Sequence, residues 1–169
     1  MAGQFLIAAL TPDATEAVVA LYRAAATAGG LSRRPDEIDA DNVRPFLVRA
    51  QSDGISRAAF APDGTLVGEI HALRMTPAQF SHVLTDLTVA VHPTWQGRGL
   101  GSLLFAQMIA AARSLAPPIR RIELMAREGN ADAIRLYQRL GFKIEGRFAA
   151  RVHLPDGRVE DDIAMALLL

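Results

Sequence analysis

The sequence predicts an α/β fold, a mixed sheet of about seven strands with helices on its faces. Three observations predict it. Apolar and β-branched runs at Ile55–Ala61 and Leu66–Met75, joined by a turn signal, precede a central strand. A strand at Leu87–Val91 then runs through a glycine-rich turn into a strongly periodic helix, and a further strand, helix and antiparallel strand pair follow. With 169 residues, 50% of them hydrophobic, the chain has material for one core, so a single domain over residues 1–169 is expected.

Phe5–Leu10 is expected as a first strand, closed by Thr11-Pro12-Asp13. Thr11 is placed to cap a helix with Pro12 and Asp13 in its first turn and Ala14, Val18, Leu21 and Tyr22 on its buried face. Gly29-Gly30 ends it, and the charged segment Leu31–Asp41 reads as a solvent-facing connection to a short helix over about 41–51. Ile55–Ala61 and Leu66–Met75 form a hairpin about Pro62-Asp63-Gly64-Thr65, and the central strand begins near His82 or Val83. Beyond the glycine turn the expectations are a helix over Gly99–Leu115, a break at Pro117-Pro118, a strand over Arg120–Ala126 and a helix over Ala131–Leu140. The strand–helix–strand crossover favours parallel pairing of the strands at Leu87 and Ile122. Phe142–His153 and Val159–Leu168, joined at Pro155-Asp156-Gly157, complete an antiparallel pair.

The chemistry starts at Gln96-Gly97-Arg98-Gly99-Leu100-Gly101-Ser102. The first N–H groups of a helix have no intrahelical partner and lie at the positive end of its dipole. Glycines at 97, 99 and 101 leave room for a diphosphate to reach those donors, and Arg98 adds a cation. The Gly-Lys-Ser/Thr ending of a nucleotide P-loop is missing. A dinucleotide fingerprint would need glycine where Ser102 or Leu104 stands.

Gln96-x-x-Gly99-x-Gly101 after a Val-x-Val strand resembles the acyl-coenzyme A pyrophosphate loop of the GNAT superfamily of N-acetyltransferases. A second block, Asn130-x-x-Ala133-x-x-Leu136-Tyr137-x-x-x-Gly141-Phe142, resembles the family's last motif. The resemblance implies a single-domain, mostly antiparallel sheet whose parallel central pair splays around the cofactor. It further implies acetyl-CoA as acyl donor and direct transfer to an amine.

Carried onto this chain, the backbone of Val89, Ala90 and Val91 would line the pantetheine arm. Gln96, Gly97, Arg98, Gly99, Leu100, Gly101 and Ser102 would form the diphosphate cradle, and Asn130 would reach the pantetheine, although its position also suits a helix cap. Tyr137 matches the tyrosine that protonates the departing sulfur. Asp86 stands where many relatives keep a glutamate that takes the amine proton, with His82 and Glu69 as rivals. Relatives use the connection between the first two helices for the acceptor, which makes Leu31–Asp41 a specificity candidate.

The C-terminal run GFKIEGR, followed by a turn and Asp161-Asp162-Ile163-Ala164-Met165, resembles the branch that acetylates free amino acids, which makes a free amino acid or related small amine the expected acceptor. A ribosomal-protein-type N-terminal acetyltransferase acting on a peptide amine is the alternative, and a non-catalytic acyl-CoA sensor is the alternative of another class. A nicotinamide oxidoreductase would use Glu123 for a ribose. Eighteen basic residues balance eighteen acidic ones, so neither nucleic acid nor an anionic membrane is an expected partner. There is no cysteine, and no histidine spacing suggests a metal site. The start MAGQFLIAAL lacks a basic n-region and no apolar run approaches a membrane span, so a cytoplasmic location is expected. Late strands pair between copies in many relatives. Ile163–Leu169 is therefore expected either to build a homodimer or to finish the chain's own core.

Overall fold

The computed structural model describes residues 5–169. Residues 1–4, the beginning of the apolar start, lie outside the described part. Seven strands form one sheet in the order β1-β2-β3-β4-β5-β7-β6. The strands are β1 Leu6–Ala8, β2 Gly54–Phe60, β3 Leu66–Arg74, β4 Val83–Val91, β5 Arg121–Arg127, β6 Lys143–His153 and β7 Val159–Leu168. The helices are α1 Thr15–Thr27, α2 Ala40–Asp53, α3 Leu100–Arg113 and α4 Ala131–Arg139.

Alternation along β3 sorts the two faces. Ile70 and Ala72 join the core under α3 and α4, where Leu104, Phe105 and Met108 are fully buried. Each such side chain contributes about 1.5–3 kcal/mol of transfer free energy. On the other face, Val18, Leu21 and Tyr22 of α1 and Val43 and Leu47 of α2 pack with Ala58 and Ala90 of the sheet. Ile163, Met165 and Ala166 of β7 are buried within the chain, while Leu168 beside them is 72% exposed.

Two local expectations are adjusted. Thr11 makes no side-chain cap; a 3-10 turn at Pro12–Ala14 precedes α1, and the Thr15 hydroxyl donates to the Pro12 carbonyl at 2.6 Å. α2 starts at Ala40 because Asp39 caps it, the Asp39 carboxylate accepting from the Asn42 N–H at 3.0 Å. Most consequential for the site, β4 and β5 are parallel and splay apart as the resemblance implied, pairing only at Val83–Arg121 and Leu84–Ile122. From there β4 follows β3 while β5 follows β7 along its whole length. Leu87 and Val89 are therefore only half-buried, although the apolar run reads as a buried strand.

Candidate active site

The divergence of β4 from β5 opens a cavity of about 1140 Å³. It is lined by β3, β4, β5 and β7, by α1, α2 and their connection, and by Tyr137 of α4. Beyond Leu84 the β5-facing edge of β4 has no strand partner, leaving backbone groups free for an extended ligand. Val89 and Val91 lie on this free edge, whereas the side chain of Ala90 is buried under α1 and α2.

At the end of β4 the chain turns through Pro93–Trp95 into the glycine loop. Gly97 and Gly99 have φ of +71° and +79°, the left-handed region that favours glycine, and Gly99 caps α3. Among the described residues, the N–H groups of Gly97, Arg98 and Gly99 find no hydrogen-bond acceptor, and those of Leu100, Gly101 and Ser102 open the first turn of α3. The set fits a diphosphate: donors converge at a helix N-terminus, with open space where a Cβ would stand at Gly97 and Gly99.

The other loop residues divide their roles. The Gln96 amide donates to the Val91 carbonyl at 3.2 Å and ties the loop to β4. Leu100 buries its side chain in the core, so only its backbone faces outward. Gly101 lies against Leu136 of α4, while Ser102 is exposed. The Arg98 guanidinium rests 4.9 Å above the Trp95 ring, which meets Phe5 edge-on at 5.5 Å. Asn130 caps α4, its Oδ1 accepting from the Ala133 N–H at 3.3 Å.

Tyr137 is 8% exposed, packed between Phe105 and Phe142 at centroid distances of 5.4 and 6.1 Å, and it lines the cavity. Burial pushes its pKa up to about 12, so near neutrality it holds its proton. Asp86 also lines the cavity, and its side chain is exposed. Asp86 and Leu87 together oppose Ala72, a two-against-one bulge between β3 and β4, and Asp86 takes φ +51° there. A non-glycine residue in that region stores strain, and such residues concentrate at functional sites.

His82 does not line the cavity; its carbonyl accepts from the Arg120 N–H. Glu69 is completely buried and bonded to Tyr22. The Glu123 carboxylate is taken by Arg121 Nε at 2.5 Å, which leaves it poorly placed to hold a ribose. Asp161 pairs with Arg147 at 2.6 Å, and Asp162 faces Arg151 at 3.7 Å on the cavity wall. His71 was not singled out from sequence, and Arg33 was expected only as part of the Leu31–Asp41 segment. His71 lies beside Glu69 and Tyr22, and Arg33 lines the cavity with no ion pair or hydrogen bond among the described residues. The signal for the first was Glu69-x-His71, which on a strand puts both side chains on one face.

The family model described as the acetyltransferase (GNAT) family matches residues 15–142, which run from the first residue of α1 to the end of α4's cap and include both motifs. The chain belongs to this family. An L-amino acid N-acetyltransferase, AaaT of Escherichia coli (strain K12), is 32% identical over 117 residues, covering 69% of this chain and 70% of the relative. Among solved structures, the GNAT-family acetyltransferase of Streptococcus pneumoniae superposes with a TM-score of 0.87 at 26% identity, covering 98% of this chain and all of that one. The ribosomal-protein-alanine N-acetyltransferase of Brucella melitensis gives 0.83 at 26%, covering 97% and 99%. The splayed central pair and the N–H cradle are thus the fold of a GNAT acetyltransferase, and the chain is an enzyme of acyl transfer. Among the described residues no group of three or more His, Asp or Glu could hold a metal ion, and no helix is long and apolar enough to cross a membrane.

Proposed function

We propose that this GNAT acetyltransferase moves an acetyl group from acetyl-CoA to the α-amine of a free amino acid. The observation that carries the donor is the row of unpartnered N–H groups over Gly97–Ser102 next to the free edge of β4. Those donors would hold the diphosphate, β4 around Val89 and Val91 would hold the pantetheine arm, and Asn130 would add a contact through its amide. Bound acetyl-CoA supplies a thioester carbonyl open to attack.

The acceptor enters from the side of α1 and α2, where Arg33 projects an uncompensated cation at the cavity. A guanidinium can take a carboxylate through two parallel N–H···O bonds. The 32% identical relative that acts on L-amino acids supports the same acceptor class. Asp86, exposed at the bulge, draws the acceptor's ammonium and takes its proton directly or through water. Tyr137 protonates the departing sulfur, a role open to a phenol that holds its proton near neutrality.

The test is steady-state thiol release with acetyl-CoA across L-amino acids, the matching amines without a carboxylate, and peptides with free N-termini. Turnover restricted to free amino acids supports the proposal. Turnover of peptides alone would move the acceptor to protein N-termini. No acceptor-dependent release from protein whose melting temperature rises with acetyl-CoA would leave a binding module.

A further inference from the structure

Glu69 and His71 project from the same face of β3 beneath α1 and α2. Glu69 is 0% exposed, and the Tyr22 hydroxyl donates to its Oε2 at 2.5 Å. His71 is 4% exposed, with Nδ1 at 3.2 and 3.3 Å from the two Glu69 oxygens and 3.2 Å from the Tyr22 oxygen. The Phe46 ring stacks on the imidazole at 4.0 Å and 11°. Burying such a carboxylate costs several kcal/mol before pairing, and apolar side chains of similar volume fill a core as well or better. Stability therefore gives no reason for this trio.

Its hydrogen bonds assign a tautomer. An ionised carboxylate only accepts, and the Tyr22 proton is already directed at Glu69, so Nδ1 must carry the hydrogen it shares with Glu69 and Tyr22. A neutral imidazole then keeps its lone pair on Nε2. Nε2 bonds no described residue, yet no buried side-chain nitrogen or oxygen among the described residues lacks a partner, so Nε2 reaches accessible space. His71 lines the cavity that also holds Asp86. The titratable groups bonded to it are Glu69 of β3 and Tyr22 of α1; Arg33 of the α1–α2 connection, Arg49 of α2, which is turned to the Arg74 carbonyl, and Asp86 past the bulge of β4 are among the charged groups that line the same cavity.

We propose that Nε2 of His71 is the final acceptor of the amine proton, with Glu69 and Tyr22 as positioning residues that hold the productive tautomer. The proposal rests on the N-acetyltransferase reading. Asp86 draws the proton from the acceptor's ammonium and passes it to His71, since an imidazole is the stronger base of the two classes, with a reference pKa of about 6.5 against about 3.9. The freed amine nitrogen bonds the acetyl carbon, the carbon–sulfur bond breaks, and Tyr137 gives its proton to sulfur. The second nitrogen proton leaves with amide formation and restores Tyr137 through water, while His71 releases its proton to solvent. The sum is ammonium plus thioester giving amide, thiol and one proton.

Two readouts test this. In protein labelled with nitrogen-15 at imidazole, His71, separated from the other three histidines by single substitutions, is expected to show a protonated Nδ1 and a bare Nε2. A protonated Nε2 would overturn the proposal whether or not an acceptor has been found. In kinetics, His71→Asn keeps an N–H donor toward Glu69 but removes Nε2. It should lower kcat/KM about 100-fold and leave the acetyl-CoA-induced rise in melting temperature intact. Glu69→Gln, of nearly the same volume, should lower kcat/KM about tenfold by presenting an amide N–H to Nδ1, and it serves if His71→Asn fails to fold. Wild-type turnover with full activity in either folded variant would overturn this proposal alone. Absence of any amine-dependent turnover in the wild type would remove it together with the acetyltransferase reading.

Discussion

Asp86 occupies backbone space at φ +51° that costs an ordinary L-residue about 1–2 kcal/mol, and its exposed carboxylate faces the cavity. Asparagine tolerates this region as well as aspartate, so Asp86→Asn separates charge from strain. The variant is expected to melt within a few degrees of the wild type and to lose about 100-fold in kcat/KM, measured by thiol release. Tyr137 answers the same question for the departing sulfur. Tyr137→Phe keeps the packing against Phe105 and Phe142 while removing the hydroxyl. It should lower kcat by about 100-fold or more with an unchanged thermal response to acetyl-CoA. At Arg33 the expected effect falls on KM. Arg33→Gln removes a charge-assisted contact of about 1.5–3 kcal/mol, so KM for amino acids should rise about tenfold or more, while amines without a carboxylate are unaffected.

The glycine loop makes its prediction as a unit of structure. At Gly99 nothing stands within 4 Å of an added Cβ, so Gly99→Ala is strained only through its φ of +79°. Gly64, in the β2–β3 turn, has φ +85° and equally open surroundings. Both alanine variants should lose about 1 kcal/mol, roughly 3 °C in melting temperature. Only Gly99→Ala should also weaken acetyl-CoA binding, about tenfold by calorimetry, because its methyl stands among the donors. The loop, α3 and the Asn130 cap were legible in the sequence because each is a run of neighbours whose spacing states its geometry. The parting of β4 from β5 was legible only through the family resemblance, since ladder hydrogen bonds leave no mark on side-chain periodicity. Nor does a glycine announce the bulge at Asp86; aspartate carries the strain itself. Tyr22 meets Glu69 and His71 only because α1 packs across β3, so 47 residues of sequence separate a hydrogen-bonded pair.

The whole molecule has two tyrosines, and they approach the cavity from opposite faces of the sheet, Tyr22 under α1 and Tyr137 from α4. Burial and the Glu69 carboxylate raise the pKa of Tyr22 well above its ordinary value of 10.0, and burial alone lifts that of Tyr137 to about 12. In the unfolded chain both would ionise near pH 10, so above that pH the unfolded state binds fewer protons and stability falls as pH rises. The stabilisation is present in full below about pH 10 and is lost as pH climbs toward 12, at up to about 1.4 kcal/mol per pH unit for each tyrosine. At about pH 11 the native protein should therefore show about a tenth or less of the tyrosinate absorbance at Tyr137, and still less at Tyr22. The same protein in urea should show nearly the full signal of both. A native titration with two ordinary phenols near pH 10 would mean that both hydroxyls are open to water. It would remove the dry Tyr22–Glu69 contact that fixes the imidazole of His71, while Tyr137, protonated near neutrality in either case, would keep the proton it gives to sulfur.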